Sequence, residues 1–346
     1  MITRNNFLKT IFGIGIFIFV WAVLPQDIAG KINNKFGLID DPNVETLEVS
    51  VPLPKTLTHE DSILTQKAIE DIKALASPLM EGRRAGTTGE TRASLYLIKQ
   101  LQLLNLQELG ETGYFQLFTI PPMDERFIRG RALFRPSSQG LKMPSCNILA
   151  GLEGKKKDEK IILSAHFDHL GIFDGKLHVG ANDNAAGVGC VLEIMRRLVK
   201  DQLNGLMPEK SVIIAFWGAE EMGYLGSRYF VTHPTVSPEQ IKGVINLDSV
   251  GNGTAGDFII WTNQDSELAK KVQKIGEEKN ANMEIQGSHN RFSDELSFRG
   301  TSIPALTILS KEWLKENHTP RDDLTLINEE KLDLICDIIY ELIYEL

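Results

Sequence analysis

From residue 161 onward the sequence alternates two kinds of segment. Continuous apolar runs occur at 161–166 (IILSAH), 211–217 (SVIIAFW), 243–248 (GVINLD), 257–261 (DFIIW) and 304–309 (PALTIL). Helical periodicity occupies 184–200, 265–279, 294–299 and 329–345. A strand that is apolar along its whole length must be covered on both faces. Strands of that kind separated by helices predict an α/β fold: a mainly parallel mixed sheet sandwiched between helices. A length of 346 residues, 42% of them hydrophobic, is enough for one large domain with its own core.

Ahead of this region, Thr58-His59-Glu60-Asp61 resembles a capping box and opens a helix running to about Ala76. Gly82, Gly86 and Gly89 mark a loop, and a second helix is expected from about Glu90 to Leu104. Short β-like runs follow at 113–120, 129–135 and 145–150. Nothing between 115 and 160 is long enough to be an inserted domain, so residues 58–346 read as a single domain. Residues 30–57 are polar and Pro-containing, as in a linker or extended arm.

Residues 1–29 read as a leader. Arg4 and Lys9 precede the uncharged stretch Ile11–Leu24, and Pro25 follows. A basic start and a short apolar centre are the pattern of an export signal. The apolar stretch falls short of the roughly 20 residues of a bilayer span. Ala29 fits the last residue of a cleaved leader, whereas Asp27 fits that site poorly. Signal peptide and uncleaved membrane anchor through residues 7–24 both stay open. Either way the expected location is outside the cytoplasm, periplasmic or secreted.

Charge and cysteine usage exclude several functions. The formal net charge is −9, which argues against nucleic acid as a partner, because phosphate binding needs clustered Lys and Arg. The run Lys155-Lys156-Lys157 is followed by Asp158 and Glu159 and reads as a solvated turn. Cys146, Cys190 and Cys336 are scattered in apolar stretches, which excludes a cysteine-based zinc site and points to buried core thiols. Gly251–Gly256 fits G-x-G-x-x-G by letter, but a strand-like run follows it where a dinucleotide site needs a helix. His59-Glu60 lacks the second His of a zincin, and G-x-S-x-G is absent.

The chemistry gathers at the ends of the apolar runs. The first ends in His166-Phe167-Asp168-His169, the second is followed by Gly218-Ala219-Glu220-Glu221, and the third ends in Asp248. Open α/β sheets place ligands beyond the carboxyl ends of their strands. Asp183 precedes a helix in Ala181-Asn182-Asp183-Asn184, and His318 follows the last run in Asn317-His318-Thr319-Pro320. Singly, each has an ordinary explanation: a satisfied histidine, a helix cap, a solvated acidic turn. Together they do not, because a carboxylate ending an apolar strand is costly unless it is paired or metal-bound. Two Zn²⁺ would be balanced by Asp183, Glu221, Asp248 and one hydroxide, with neutral His166 and His318 completing a donor set suited to zinc.

These stretches resemble the co-catalytic di-zinc aminopeptidases, the family of secreted bacterial leucyl aminopeptidases and vacuolar aminopeptidase Y. Glutamate carboxypeptidase and the transferrin receptor are distant relatives. The resemblance is carried by His166-Phe167-Asp168, Gly180–Gly187, Phe216–Ser227, Ile245–Asp248 and His318–Asp322, with Gly82–Thr87 as a further block. It covers roughly residues 60–345. It implies a zinc-exopeptidase fold with the metal site at the C-terminal strand ends. It also implies that Asp183 bridges two Zn²⁺ (Co²⁺ or Mn²⁺ as substitutes), that Glu221 and His318 complete one, and that His166 and Asp248 complete the other. Asp168 would hold the His166 ring, and Glu220 would act as general base and then acid on peptides with a free N-terminus. Carboxypeptidase action, glutaminyl cyclisation and a non-catalytic receptor-like role are the alternatives on this fold. The sequence departs from the family at Glu295, where His is usual. No role is assigned to His169, His178 or His289, none is settled for Asp294, and Asp322 either supports His318 or closes a turn.

Overall fold

The computed structural model describes residues 63–128, 131–262, 266–287 and 293–346. The capping box at 58–61, the linker, the leader and His289 lie outside the described residues. Among the described residues, no helix is long and apolar enough to cross a membrane.

The first described helices are α1 (Ile63–Leu75) and α2 (Thr88–Leu103). Strands β1 (Gln107–Glu108), β2 (Phe115–Ile120), β3 (Met123–Ile128), β4 (Arg131–Pro136), β5 (Met143–Leu152) and β6 (Lys156–His166) follow. A short hairpin of β7 (Gly171–Phe173) and β8 (Lys176–His178) leads to α3 (Gly187–Leu203). Then come β9 (Lys210–Trp217), α4 (Leu225–Thr232), β10 (Ile241–Leu247), β11 (Asp257–Thr262) and α5 (Glu267–Glu278). β12 (Asn282–Gly287), β13 (Ala305–Ser310) and α6 (Glu329–Glu345) complete the fold.

The main sheet runs β1-β5-β9-β6-β10-β13-β11-β12, with β2 also paired to β5. Its centre, β9-β6-β10-β13, is parallel. β5 joins β9 antiparallel, and β11 joins β13 antiparallel, so the flanks make the sheet mixed. Burial follows from the sequence pattern: all six residues of β13 are buried, as are the apolar residues of β6, β9 and β10. Ile162, Ile213, Ala215, Trp217 and Val244 share one cluster with Phe230 of α4 and Phe298. Successive strand residues face opposite ways, so the alternate residues meet the other layer, where α3 packs on β6 and between α1 and α6.

Four elements depart from expectation. The run expected at 129–135 is half of a hairpin, β3–β4, in which Ile128 pairs with Arg131. Its first half, Met123–Ile128, carries Asp124-Glu125-Arg126 in a row, so only the half around Ala132-Leu133-Phe134 shows an apolar run in the sequence. α4 was not expected, because Gly226 and the β-prone Tyr229-Phe230-Val231-Thr232 hide its periodicity. The helix expected at 294–299 is a short 3₁₀ turn, Asp294–Phe298. Edge strand β12 was also missed, since much of it is exposed and its pattern is weakly apolar.

Candidate metal centre

Parallel pairing brings the strand ends to one edge. His166 of β6 is level with Trp217 of β9, and Asn246 of β10 is level with Ser164, so Asp248 comes level with His166. Beyond Trp217 the chain turns sharply, with Ala219 in the left-handed region at φ 54°. This is an uncommon conformation for a residue with a Cβ, and it throws the two glutamates that follow across the strand ends. Asp183 sits in an irregular turn, Ala181–Ala186, ahead of α3, and the Asp183–Asn184 peptide is cis. The turn is tied down by its own asparagines. Asn182 Oδ1 accepts from the Gly251 amide, Asn184 Nδ2 donates to the Leu247 carbonyl, and Asn184 Oδ1 accepts from the Ser249 amide. Helix α3 therefore begins at Gly187, later than the periodicity at 184 suggested.

Asp183 lies at the middle of the cluster. Its Oδ1 is 3.3 Å from His166 Nε2 and its Oδ2 is 3.3 Å from His318 Nε2. His166 Nε2 is also 3.5 Å from Asp248 Oδ1, and His318 Nε2 is 3.0 Å from Glu221 Oε2. Two donors bound to one tetrahedral zinc at about 2.0–2.1 Å lie roughly 3.3 Å apart. The four separations fall close to that edge length, in two sets that share Asp183. The donor chemistry and the geometry thus fit a pair of zinc ions. Glu220 joins the first set, with one oxygen within 4.8 Å of donor atoms of His166 and Asp248.

The two adjacent glutamates feel opposite fields. Burial pushes Glu221 up, but His318 and His169 together outweigh that and hold it at about 2. Burial dominates at Glu220 and, with the neighbouring acids, pushes it well above the usual range. Burial also opposes the charged form of Asp183, yet the flanking His166 and His318 hold it well below an ordinary carboxylate. The cluster opens into a cavity of about 630 Å³. Trp261, Leu309 and Trp313 form one apolar wall, and Leu133 and Phe134 of the β3–β4 hairpin form another.

The surrounding residues differ in part from expectation. The Asp168 carboxylate was expected to hold the His166 ring, but its Oδ1 is 3.8 Å from His166 Nδ1, beyond hydrogen-bond length. The Asp168 backbone carbonyl, at 3.2 Å, takes that place. The carboxylate instead accepts from the Glu220 amide at 3.0 Å, so Asp168 orients the base candidate through the main chain. Asp322 accepts from the amides of Asn182 and Asp183 at 2.8 and 3.0 Å, which joins the His318 loop to the Asp183 turn. Glu295 is fully buried away from the cavity, where its Oε2 accepts from Thr307 Oγ1 and the Ser293 amide. Asp294 accepts from Ser227 Oγ at 2.6 Å, also outside the cavity lining. His178 lies in the β7–β8 hairpin, its Nδ1 3.1 Å from the Lys176 carbonyl.

Sequence reasoning missed Arg83. Its buried guanidinium donates to the carbonyls of Leu75, Phe167, Val179 and Gly180 at 2.6–2.9 Å. It therefore fastens the loop after His166 to the one before Asp183. Burial lowers its pKa to about 10, against the pull of Asp322, Asp168, Asp183 and Glu221. Gly82 beside it has φ +68°, and a Cβ there would lie 2.2 Å from the His178 carbonyl. Both residues fall in the quoted block Gly82–Thr87, which was the available signal.

Known proteins share this arrangement of elements. The chain is 27% identical over 220 residues to leupeptin-inactivating enzyme 1 of Streptomyces exfoliatus, covering 58% of this chain and 48% of that protein. It is 25% identical over 201 residues to aminopeptidase YwaD of Bacillus subtilis, covering 55% and 42%. The chain thus spans less than half the length of these two curated relatives. Among solved structures, a zinc aminopeptidase from Bacillus subtilis superimposes with a TM-score of 0.66 at 18% identity, covering 81% of this chain and 95% of that one. A glutaminyl cyclase from Bacteroides thetaiotaomicron superimposes with a TM-score of 0.61 at 20% identity, covering 82% and 98%. Those two likenesses establish the fold, a zinc-exopeptidase arrangement of helices around a mixed sheet. Residues 147–343 match peptidase family M28, more than half of the chain and all of the strand-end cluster, and the chain belongs to that family.

Proposed function

We propose that the chain is a two-zinc aminopeptidase that removes residues from the N-termini of peptides. One observation carries the reading: Asp183 offers one carboxylate oxygen to each of two histidines, and each histidine has a second carboxylate beside it. His166 and Asp248 would hold one ion and Glu221 and His318 the other, with Asp183 shared. Bound zinc would supply a water acidified toward neutral pH and a polarised substrate carbonyl.

The chain's own residues do the rest. Glu220 stands beside His166 and Asp248 with its carboxylate in the cavity lining. Its carboxylate takes the proton of the attacking water and returns it to the leaving amine. Asp168 holds the Glu220 amide and so fixes where that carboxylate starts. The acidic floor of the cavity suits a free α-ammonium group, and the wall formed by Trp261, Trp313 and Leu309 keeps bulk water from the reacting carbonyl. The curated aminopeptidase relative supports the same direction of cleavage. We further infer that residues 1–29 export the chain, as a cleaved signal or as an anchor.

A matched pair of peptides tests the specificity. A peptide with a free N-terminus should be shortened from that end, and its N-acetylated twin should stay intact. Cleavage of the acetylated peptide from its C-terminus would assign a carboxypeptidase. Ammonia release from N-terminal glutamine without hydrolysis would assign a glutaminyl cyclase.

A further inference from the structure

We propose that His169 is a positioning residue that grips one oxygen of Glu221 and so sets the zinc affinity of the Glu221–His318 half of the centre. The inference rests on the two-zinc reading above. His169 is fully buried, and its Nδ1 lies 2.8 Å from Glu221 Oε1. The other oxygen, Oε2, lies 3.0 Å from His318 Nε2. The Glu221 carboxylate is thus divided, one oxygen engaged by the protein and the other turned to the centre.

The distances separate this role from direct ligation. His169 Nδ1 is 2.8 Å from Glu221 and 4.0 Å from Asp183 Oδ2. Donors sharing one zinc lie roughly 3.3 Å apart. The first distance is short for such a pair and right for a hydrogen bond, and the second is long. Glu221 can only accept, so the Nδ1–H tautomer donates to it. Nε2 has no hydrogen-bond partner among the described residues, so nothing on its far side competes for the ring.

The fold makes room for this ring. Gly180 has φ +57°, and a Cβ there would lie 2.5 Å from His169 Cγ and Cδ2. On another side the His318 ring meets it edge-on, with centroids 5.9 Å apart. The His169 amide donates to the Arg83 carbonyl at 3.4 Å. An imidazole fastened on these sides can hold a carboxylate in a single orientation. Removing a partner that orients a ligand typically costs about 10–100-fold in metal affinity.

The test is competition of the zinc-loaded full chain against a chromophoric chelator, for wild type, His169→Ala, His169→Asn and His169→Gln. Asn places its amide nitrogen near the position of Nδ1, and Gln places it near Nε2. Wild type should hold two ions. His169→Ala should lose affinity for one of them by roughly 10–100-fold and keep the other, and His169→Asn should restore it. Unchanged affinities in His169→Ala, or equal weakening of both ions, would overturn the proposal. If His169→Ala fails to fold, His169→Gln should be weakened at one ion and His169→Asn should not; equal behaviour would overturn it. A wild-type chain that takes fewer than two ions would remove the two-zinc reading and this inference together. Two ions in wild type with no asymmetry in the variants would remove the inference alone.

Discussion

Glu220 and Glu221 are neighbours in sequence with opposite surroundings. Glu221 is held by two histidines, His169 and His318, and Glu220 faces the cavity beside His166 and Asp248. Glu220→Gln keeps size and shape while removing the proton carrier. It should retain two zinc ions and lose turnover by roughly 10²–10⁴-fold, as measured by metal analysis and peptide hydrolysis on one sample. Normal turnover would refute the base assignment. That His166, Asp183, Glu220, Glu221, Asp248 and His318 meet at one edge was legible in the sequence, because each stands at a strand end or in a loop beside one, where its type is costly without a partner. The role of Asp168 was not, because which acceptor faces His166 Nδ1 depends on ring orientation, which spacing does not specify. Nor was His169 legible: it reads as one more histidine until Gly180 and Glu221 are placed around it.

At the scale of elements, the site depends on joints between segments far apart in sequence. Arg83 spans 84 residues to Phe167 and 97 to Gly180, separations that no periodicity reveals. Arg83→Met should leave four carbonyls without their donor and destabilise the fold by on the order of 3–5 kcal/mol, read by urea unfolding of chelator-treated protein. An unchanged unfolding midpoint would contradict the joint. A second joint lies under the β9 turn. Glu90 of α2 accepts from the Gly86 amide at 2.6 Å and from Ser145 Oγ of β5 at 2.5 Å. Burial raises it from 4.5 to about 8, beyond what those hydrogen bonds lower. The folded chain thus binds this proton more tightly than the unfolded chain. Its contribution to stability is complete below pH 4.5 and is lost as pH rises toward 8. Glu90→Gln can still accept from Gly86 and donate to Ser145. It should remove that part of the slope, gaining on wild type by on the order of 2 kcal/mol between pH 5 and pH 8 in thermal melts. Parallel melting profiles across that range would refute it. The long apolar strands and α6 were readable from pattern alone. α4, the β3–β4 hairpin and β12 were not, since each is short, exposed or rich in residues that favour another conformation.

Taken whole, the molecule joins a parallel centre to antiparallel flanks, and each part has its task. The parallel centre delivers His166, Glu220, Glu221 and Asp248 to one edge, because β6, β9 and β10 all end there. Trp261 of the antiparallel β11 and Leu309 of its neighbour β13 form one wall, and the β3–β4 hairpin supplies Leu133 and Phe134 as another. The pattern of apolar runs was enough to place the site at that edge. It could not place the walls, because they come from a strand antiparallel to the centre, from the segment after β13 and from a hairpin with no regular alternation. In the proposed function, two zinc ions sharing Asp183 support hydrolysis at a free N-terminus. Its most direct test is a zinc titration of metal-free protein, following hydrolysis of an aminoacyl reporter against equivalents of zinc bound. Binding should saturate at two equivalents, with activity that a chelator abolishes and zinc restores. Saturation at one equivalent, or full hydrolysis by the metal-free chain, would contradict it.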